Sequence, residues 1–193
     1  MRLFTAVVPP EDVVEDLDEF LAPRRDAASF RWSLPEHWHL TLAFMGEAHE
    51  RHLDDLTDRL ERAARRRTPF ALQVAGGGAF PNAARARVLF ADLKADAAAG
   101  TELDRLATGA RAAASKAGMA VDGARFRRHL TLARLGHPEE VTNWVRLLDA
   151  YAGPTWLVEE IALIASHLGE GPRKRPRYEV LETFPLGSAP PPQ

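Results

Sequence analysis

The segment His39-Leu40-Thr41-Leu42-Ala43-Phe44-Met45-Gly46 recurs as His129-Leu130-Thr131-Leu132-Ala133-Arg134-Leu135-Gly136, 90 residues later in a chain of 193. The first five residues and the glycine are the same in both copies. A repeat at nearly half the chain length, each copy on a strand that follows a helix, is the signature of a duplicated lobe. Strand geometry then sorts the residues. Side chains alternate between faces, so Leu40 and Leu42 share one face and His39 and Thr41 the other. The leucines can enter a core. Leu130, Leu132, His129 and Thr131 divide in the same way. A pseudo-twofold axis between two such lobes would set the two His–Thr pairs facing each other across a cleft.

That arrangement suits in-line attack on phosphorus, which needs a base on one side of a phosphate and an acid on the other. Histidine titrates near neutral pH, so two opposed imidazoles supply both. The threonine hydroxyls can donate hydrogen bonds to the non-bridging oxygens, where charge must be stabilised in the transition state. Neither motif carries a carboxylate on its His–Thr face, so a histidine-ligated metal hydrolase fits poorly and no metal is expected.

The rest of the chain reads as alternating strands and helices. Residues 3–8 form a short apolar strand, and Pro9-Pro10-Glu11-Asp12 opens a helix whose apolar stripe runs through Leu21. Strands are expected over residues 30–34 and 38–45, a charged helix over 49–67, and a strand over 70–74 that the triple glycine 76–78 breaks. The second half gives a strand at 87–93, an alanine-rich helix at 97–117 capped by Gly118, and a strand at 126–135 stopped by Gly136. A helix opened by Pro138 runs to Tyr151, and strands follow at 156–167 and 178–184. The order predicts an α+β protein: bilobal, each lobe a mainly antiparallel sheet backed by helices, related by a pseudo-twofold around a central cleft. Residues 1–187 are expected to make one such domain, and 188–193 a disordered tail.

Composition narrows the function classes. Apolar residues make up 46% and charged residues 27%, as in a globular protein. The net charge of −2 means that an anionic substrate must be held by local basic clusters. No cysteine is present, which excludes disulfides, thiolate metal sites and a cysteine nucleophile. No segment approaches the roughly 18 apolar residues of a membrane span, and Pro9-Pro10 ends the N-terminal apolar run too early for a signal-peptide core. A cytoplasmic monomer without a cofactor is expected.

The two motifs resemble those of the two-histidine (2H) phosphoesterase superfamily, and within it the RNA 2′,3′-cyclic phosphodiesterase (2′-5′ RNA ligase-like) family. Phe4-Thr5-Ala6 before a proline-led helix, Arg31-Trp32 and Trp38 ahead of the first motif, and Phe44-Met45-Gly46-Glu47 after it all fit. So do Gly78-Ala79-Phe80-Pro81-Asn82, the run from Phe126 to Arg134, and Tyr178-Glu179-Val180-Leu181. The resemblance implies metal-free hydrolysis of RNA 2′,3′-cyclic phosphate ends to 2′-phosphomonoesters. It implies His39 as proton donor to the leaving 3′ oxygen, His129 as the base that activates water, and reversible 2′-5′ RNA ligation beside the hydrolysis.

Further candidates are substrate-binding residues. Arg134 and Arg127 are near the second motif, and Phe80, Tyr178 and Trp32 have faces on which a base can stack. Arg134 stands five positions after His129, on the wrong face of a regular strand, and reaches a phosphate only if the strand twists or ends. Arg125 and Arg128, with Arg173, Lys174, Arg175 and Arg177 of the late turn, can steer RNA phosphates. His37 shares the face of His39 but is expected to be exposed. The competing reading is a non-catalytic RNA-end binding module of the same fold, which would have no use for two titratable groups.

Overall fold

The computed structural model describes residues 1–187; the expected tail at 188–193 lies outside the described residues. Within residues 1–187 nine strands and four α-helices are formed: β1 (Arg2–Val7), α1 (Glu11–Arg25), β2 (Arg31–Trp32), β3 (Leu40–Met45), α2 (Leu53–Arg65), β4 (Phe70–Phe80), β5 (Ala86–Lys94), α3 (Ala97–Lys116), β6 (His129–Glu139), α4 (Thr142–Asp149), β7 (Ala152–Val158), β8 (Glu160–His167) and β9 (Arg177–Pro185). The expected α+β class holds, with two sheets ordered β3-β1-β8-β9 and β2-β6-β5-β4-β7. Every strand pair in them is antiparallel.

The helices form where apolar residues recur at helical spacing. In α1, Val13, Leu17 and Leu21 are buried, with Glu11 and Asp12 in the first turn and Arg24 and Arg25 in the last, as the helix dipole favours. In α2, Leu56, Leu60 and Ala64 make the buried stripe. Asp96 caps α3, its carboxylate accepting a hydrogen bond from the Ala99 N–H at 2.8 Å. Helix α3 packs on α2 and reaches both β3 and β4, so one continuous core underlies the two sheets.

The sheets do not correspond to the two halves of the chain. Strands β1 and β3 are joined by β8 and β9 from the far end, while β4, from the first half, sits in the second sheet. The expected strand at 156–167 is two strands in different sheets, β7 and β8, which part at Glu159. Gly136 and Pro138 do not stop β6. Ala86 pairs with Glu139 and Val88 with Arg134, so Pro138 falls in an irregular stretch where its missing N–H deprives no partner.

The triple glycine does not break β4 either. The strand bulges between Val74 and Gly77, and Gly76 takes up the bulge with a φ of 79°. Gly77 and Gly78 are required by close approach. A Cβ on Gly77 would stand 2.5 Å from Leu148 Cδ1 of α4 and 2.8 Å from the Phe90 carbonyl oxygen; one on Gly78 would stand 2.5 Å from the Phe90 ring. Gly77→Ala should therefore lower stability by about 1–3 kcal/mol through overpacking against backbone and α4. Denaturant melts of Gly77→Ala in the wild-type and in the Leu148→Ala background check this: the cost of the added methyl should be smaller in the second.

Candidate active site

The two motif strands bury their leucines as alternation requires. Leu40, Leu42, Leu130 and Leu132 are all buried, and β3 meets β6 where the two sheets adjoin. The opposite faces turn to one cleft of about 660 Å³, lined by His39, Thr41, His129 and Thr131 together. Both strands then break their own alternation at the same motif position. Thr5 pairs with Ala43 and Ala6 with Thr41, which leaves Leu42 as an extra residue. Leu89 pairs with Ala133 and Phe90 with Thr131, which leaves Leu132 as an extra residue. Each bulge puts two consecutive residues, Leu-Ala, into the core and reverses the parity of the residues after it. Phe44 and Arg134 therefore reach the cleft despite their odd offset from the histidines. The displaced carbonyls are satisfied elsewhere: the Leu42 oxygen accepts from Arg111 Nε at 3.2 Å, and the Leu132 oxygen from the Ser33 N–H at 2.8 Å.

Both imidazoles are held in the same way. His39 Nδ1 lies 2.7 Å from the His37 carbonyl oxygen, and His129 Nδ1 lies 2.9 Å from that of Arg127. A carbonyl only accepts, so each Nδ1 carries a proton and donates it, and in the neutral ring Nε2 is the free base. His39 Nε2 lies 2.9 Å from Thr41 Oγ1, whose hydroxyl donates to it. The rings also rest on aromatic neighbours. Phe4 of β1 stacks on His39 at 4.5 Å, while Phe80 and Phe90 meet the His129 ring edge-on at 5.0 and 5.6 Å. Phe4 and Phe90 follow Leu3 and Leu89 on the strands paired with each motif, a second Leu-Phe repeat that a reading of the motifs alone misses.

Burial pushes the His39 pKa from 6.5 down to about 4, against its bond to the His37 carbonyl, and the nearby His129, His37 and Arg134 push it further the same way. Burial also lowers the His129 pKa, aided by Arg134 and Arg127 and opposed by the Arg127 carbonyl bond and by Asp92. The free site is therefore neutral at its centre and basic at its rim. Arg2, Arg31, Arg134, Lys174 and Arg175 line the cleft, and among the described residues no aspartate or glutamate does. Nor, among the described residues, is any group of three or more His, Cys, Asp or Glu side chains placed to hold a metal ion.

The other candidates divide. Trp32 and Tyr178 line the cleft. His37, expected to be exposed, is half-buried because its ring packs on Tyr178 at 4.4 Å. Phe80 and Arg127 stand beside His129 rather than on the cleft wall: the Arg127 guanidinium lies over the Phe80 ring at 5.0 Å. Of the late turn, Lys174 and Arg175 reach the cleft, whereas Arg177 pairs with Glu170 at 2.8 Å. Arg128 pairs with Asp104 at 3.1 Å. Arg2 enters the site from the first residue of β1, its guanidinium 5.1 Å from the Phe44 ring, a position only the fold reveals.

The depressed His39 pKa has a consequence for stability. As pH falls below 6.5 the unfolded chain takes up a proton that the folded chain refuses until about 4, so stability is lost across that window. His39→Gln removes this loss. Between about pH 7 and about pH 4, the difference in unfolding free energy should move in the variant's favour by about 3 kcal/mol, as read from urea melts at the two pH values.

The chain matches the LigT-like phosphoesterase family over residues 7–90 and 93–173. It is 36% identical to an RNA 2′,3′-cyclic phosphodiesterase of Thermus thermophilus, over 96% of this chain and 90% of that one. It is 31% identical to a protein of the same name from Archaeoglobus fulgidus, over 95% and 99%. Among solved structures, a Thermus thermophilus protein superposes with a TM-score of 0.78 at 35% identity, covering 98% of this chain and all of the other. Escherichia coli LigT complexed with 3′-AMP superposes with a TM-score of 0.76 at 25% identity, covering 97% and 98%. In sequence and in the whole course of its backbone, this chain belongs to the LigT-like phosphoesterase family.

Proposed function

We propose that the protein is an RNA 2′,3′-cyclic phosphodiesterase that opens the ring to a 2′-phosphomonoester by His/His acid–base catalysis without a metal or other cofactor. One observation carries this reading: two imidazoles, each tied at Nδ1 to the carbonyl two residues before it, line the same cleft. The tie leaves Nε2 of each ring for the substrate. His129 takes a proton from water as the water oxygen bonds to phosphorus. The P–O3′ bond breaks, and His39 gives its proton to the departing 3′ oxygen. The relatives' names support the substrate.

The electrostatics divide the two roles. A positive charge on one ring disfavours charge on the other, so the pair holds one proton more readily than two. The burial that keeps His39 neutral in the free protein also magnifies its response to an anion, because the phosphate's charge is poorly screened there. Once Nε2 of His39 is protonated it no longer accepts from Thr41, and that hydroxyl is free to turn to a non-bridging oxygen. Thr131 is placed to do the same from the other strand. Five cations and no carboxylate on the described cleft wall suit an anion and oppose a divalent cation. Arg134 turns its charge into the cleft past the bulge, and Trp32 and Tyr178 offer faces for the terminal base. Phe80 and Arg127 extend this surface beside His129. With a 5′-hydroxyl of a second RNA in place of water as the attacking group, its proton going to His129 and the P–O3′ bond breaking as before, the same steps give 2′-5′ ligation. No described helix is long and apolar enough to cross a membrane, and we place the activity in the cytoplasm, on a monomer.

Incubation with a nucleoside 2′,3′-cyclic phosphate should yield the 2′-monophosphate, also after exhaustive chelation. A 3′-monophosphate would reverse the leaving-group assignment, and activity restored only by zinc or manganese would end the metal-free reading. His39→Ala and His129→Ala should each cost about 10²–10⁴-fold in kcat, with the double variant little worse, because the pair acts as a unit. A protein that binds the cyclic phosphate and never turns it over would be the non-catalytic module instead.

The pH profile follows from the lowered histidine values. The productive form has one ring charged and one neutral, and both free-protein pKa values lie below 6.5. The kcat/KM profile should therefore peak on the acid side of 6.5 and fall about tenfold per pH unit above it. A plateau that extends through neutral pH would contradict the assignment.

A further inference from the structure

Arg31 and Arg134 are direct cross-strand partners, β2 against β6. Like charges set opposite each other on neighbouring strands repel. Some arginines elsewhere meet a carboxylate: Arg128 meets Asp104, Arg59 meets Asp55 and Arg177 meets Glu170. Among the described residues neither Arg31 nor Arg134 has an ion-pair partner. Both are exposed and both line the cleft, whose described wall has no carboxylate to offer them.

The repulsion is not relieved by movement of the backbone, because β2 is pinned from both sides. Trp32 packs edge-on against Trp144 at 5.2 Å, and its indole N–H donates to the Ala28 carbonyl at 3.2 Å. Beyond it, the Ser33 N–H donates to the carbonyl of the bulged Leu132 at 2.8 Å. Two guanidiniums, each a planar fork of donors, are thus carried on paired positions of neighbouring strands. A phosphate is the group such a pair accommodates.

A cyclic phosphate between the imidazoles, met by Thr41 and Thr131, lies further back along β6 than this pair. Arg134 is three residues beyond Thr131, and Arg31 lies across from it on the far strand. An RNA end carries its next negative charge on the 5′ side of the nucleoside that bears the ring. We propose that Arg31 and Arg134 form a second phosphate subsite, which takes the phosphate attached 5′ to the terminal nucleoside. This rests on the reading that the cyclic phosphate sits between His39 and His129. It makes the preferred substrate one with at least one phosphate more than a nucleoside 2′,3′-cyclic phosphate.

The test is calorimetric titration of the intact protein with adenosine 2′-phosphate and with adenosine 2′,5′-bisphosphate, which differ only in the group the subsite binds. The bisphosphate should bind about tenfold or more tightly, the effect of a charge-assisted pair of hydrogen bonds. Arg31→Gln should bring that ratio close to one. Arg175→Gln, which removes a cation from the same cleft wall, should leave the ratio near its wild-type value. Equal affinity of the wild-type protein for the two nucleotides overturns the proposal, and so does an equal fall of the ratio in both variants, which would mean general attraction by the basic cleft. Turnover of adenosine 2′,3′-cyclic phosphate reads the other claim separately. A protein that prefers the bisphosphate but opens no ring would keep the subsite and lose the phosphodiesterase.

Discussion

Register is the constraint on which the site depends. A strand that slipped by one residue would send its histidine and threonine into the core and its leucines into the cleft. Burial of Leu40, Leu42, Leu130 and Leu132 forbids the slip, since exposing such a side chain forfeits about 1.5–3 kcal/mol each. The aim of both imidazoles is thus set by residues that never touch a substrate. The bulge at Leu42 and at Leu132 adds a second level of control. It lets Ala43 and Ala133 follow the leucines inward, and so turns Phe44 and Arg134 out to the cleft. One lobe supplies a ring at that position and the other a charge, so the duplicated strands have become unlike where it matters for an asymmetric ligand.

Charge is arranged by the same separation of faces. The centre of the cleft holds half-buried imidazoles that shed their protons, while the described rim holds four arginines and one lysine without carboxylates. A net charge of −2 hides this completely, because the acids lie on other surfaces, where several pair with other cations. An anion entering the cleft therefore meets attraction at the rim and, further in, groups whose protonation its own charge promotes.

Much of this was legible in the sequence. The repeated His-Leu-Thr-Leu-Ala is a direct consequence of strand alternation, and the glycine-led and proline-led boundaries of α1 and α3 follow from local backbone preferences. What was not legible came from tertiary contacts. Nothing local in Gly76-Gly77-Gly78 says that α4 and Phe90 will press on them and keep the strand going. The bulges left a trace, two consecutive core residues in each motif, but parity reasoning on a regular strand placed Arg134 on the wrong face. Arg2, Arg31 and His37 reach the cleft through pairings between distant segments. Phe4 and Phe90 had a signal, the Leu-Phe repeated on the partner strands, visible only to a reader looking for what lies beneath a histidine.

The way the strands are shared between the sheets bears on how the molecule comes apart. Strands β8 and β9, from the far end of the chain, complete the sheet begun by β1, and β4 leaves the first half to pair with β5 and β7. Neither half of the sequence owns a finished sheet, although the motif repeat suggests that each descends from one ancestral unit. A duplicated gene whose products had stayed separate could shed one copy; here each copy supplies edges the other cannot do without. The two lobes must melt together, and a truncated chain that keeps one motif intact retains one of the two cleft imidazoles and only part of each sheet.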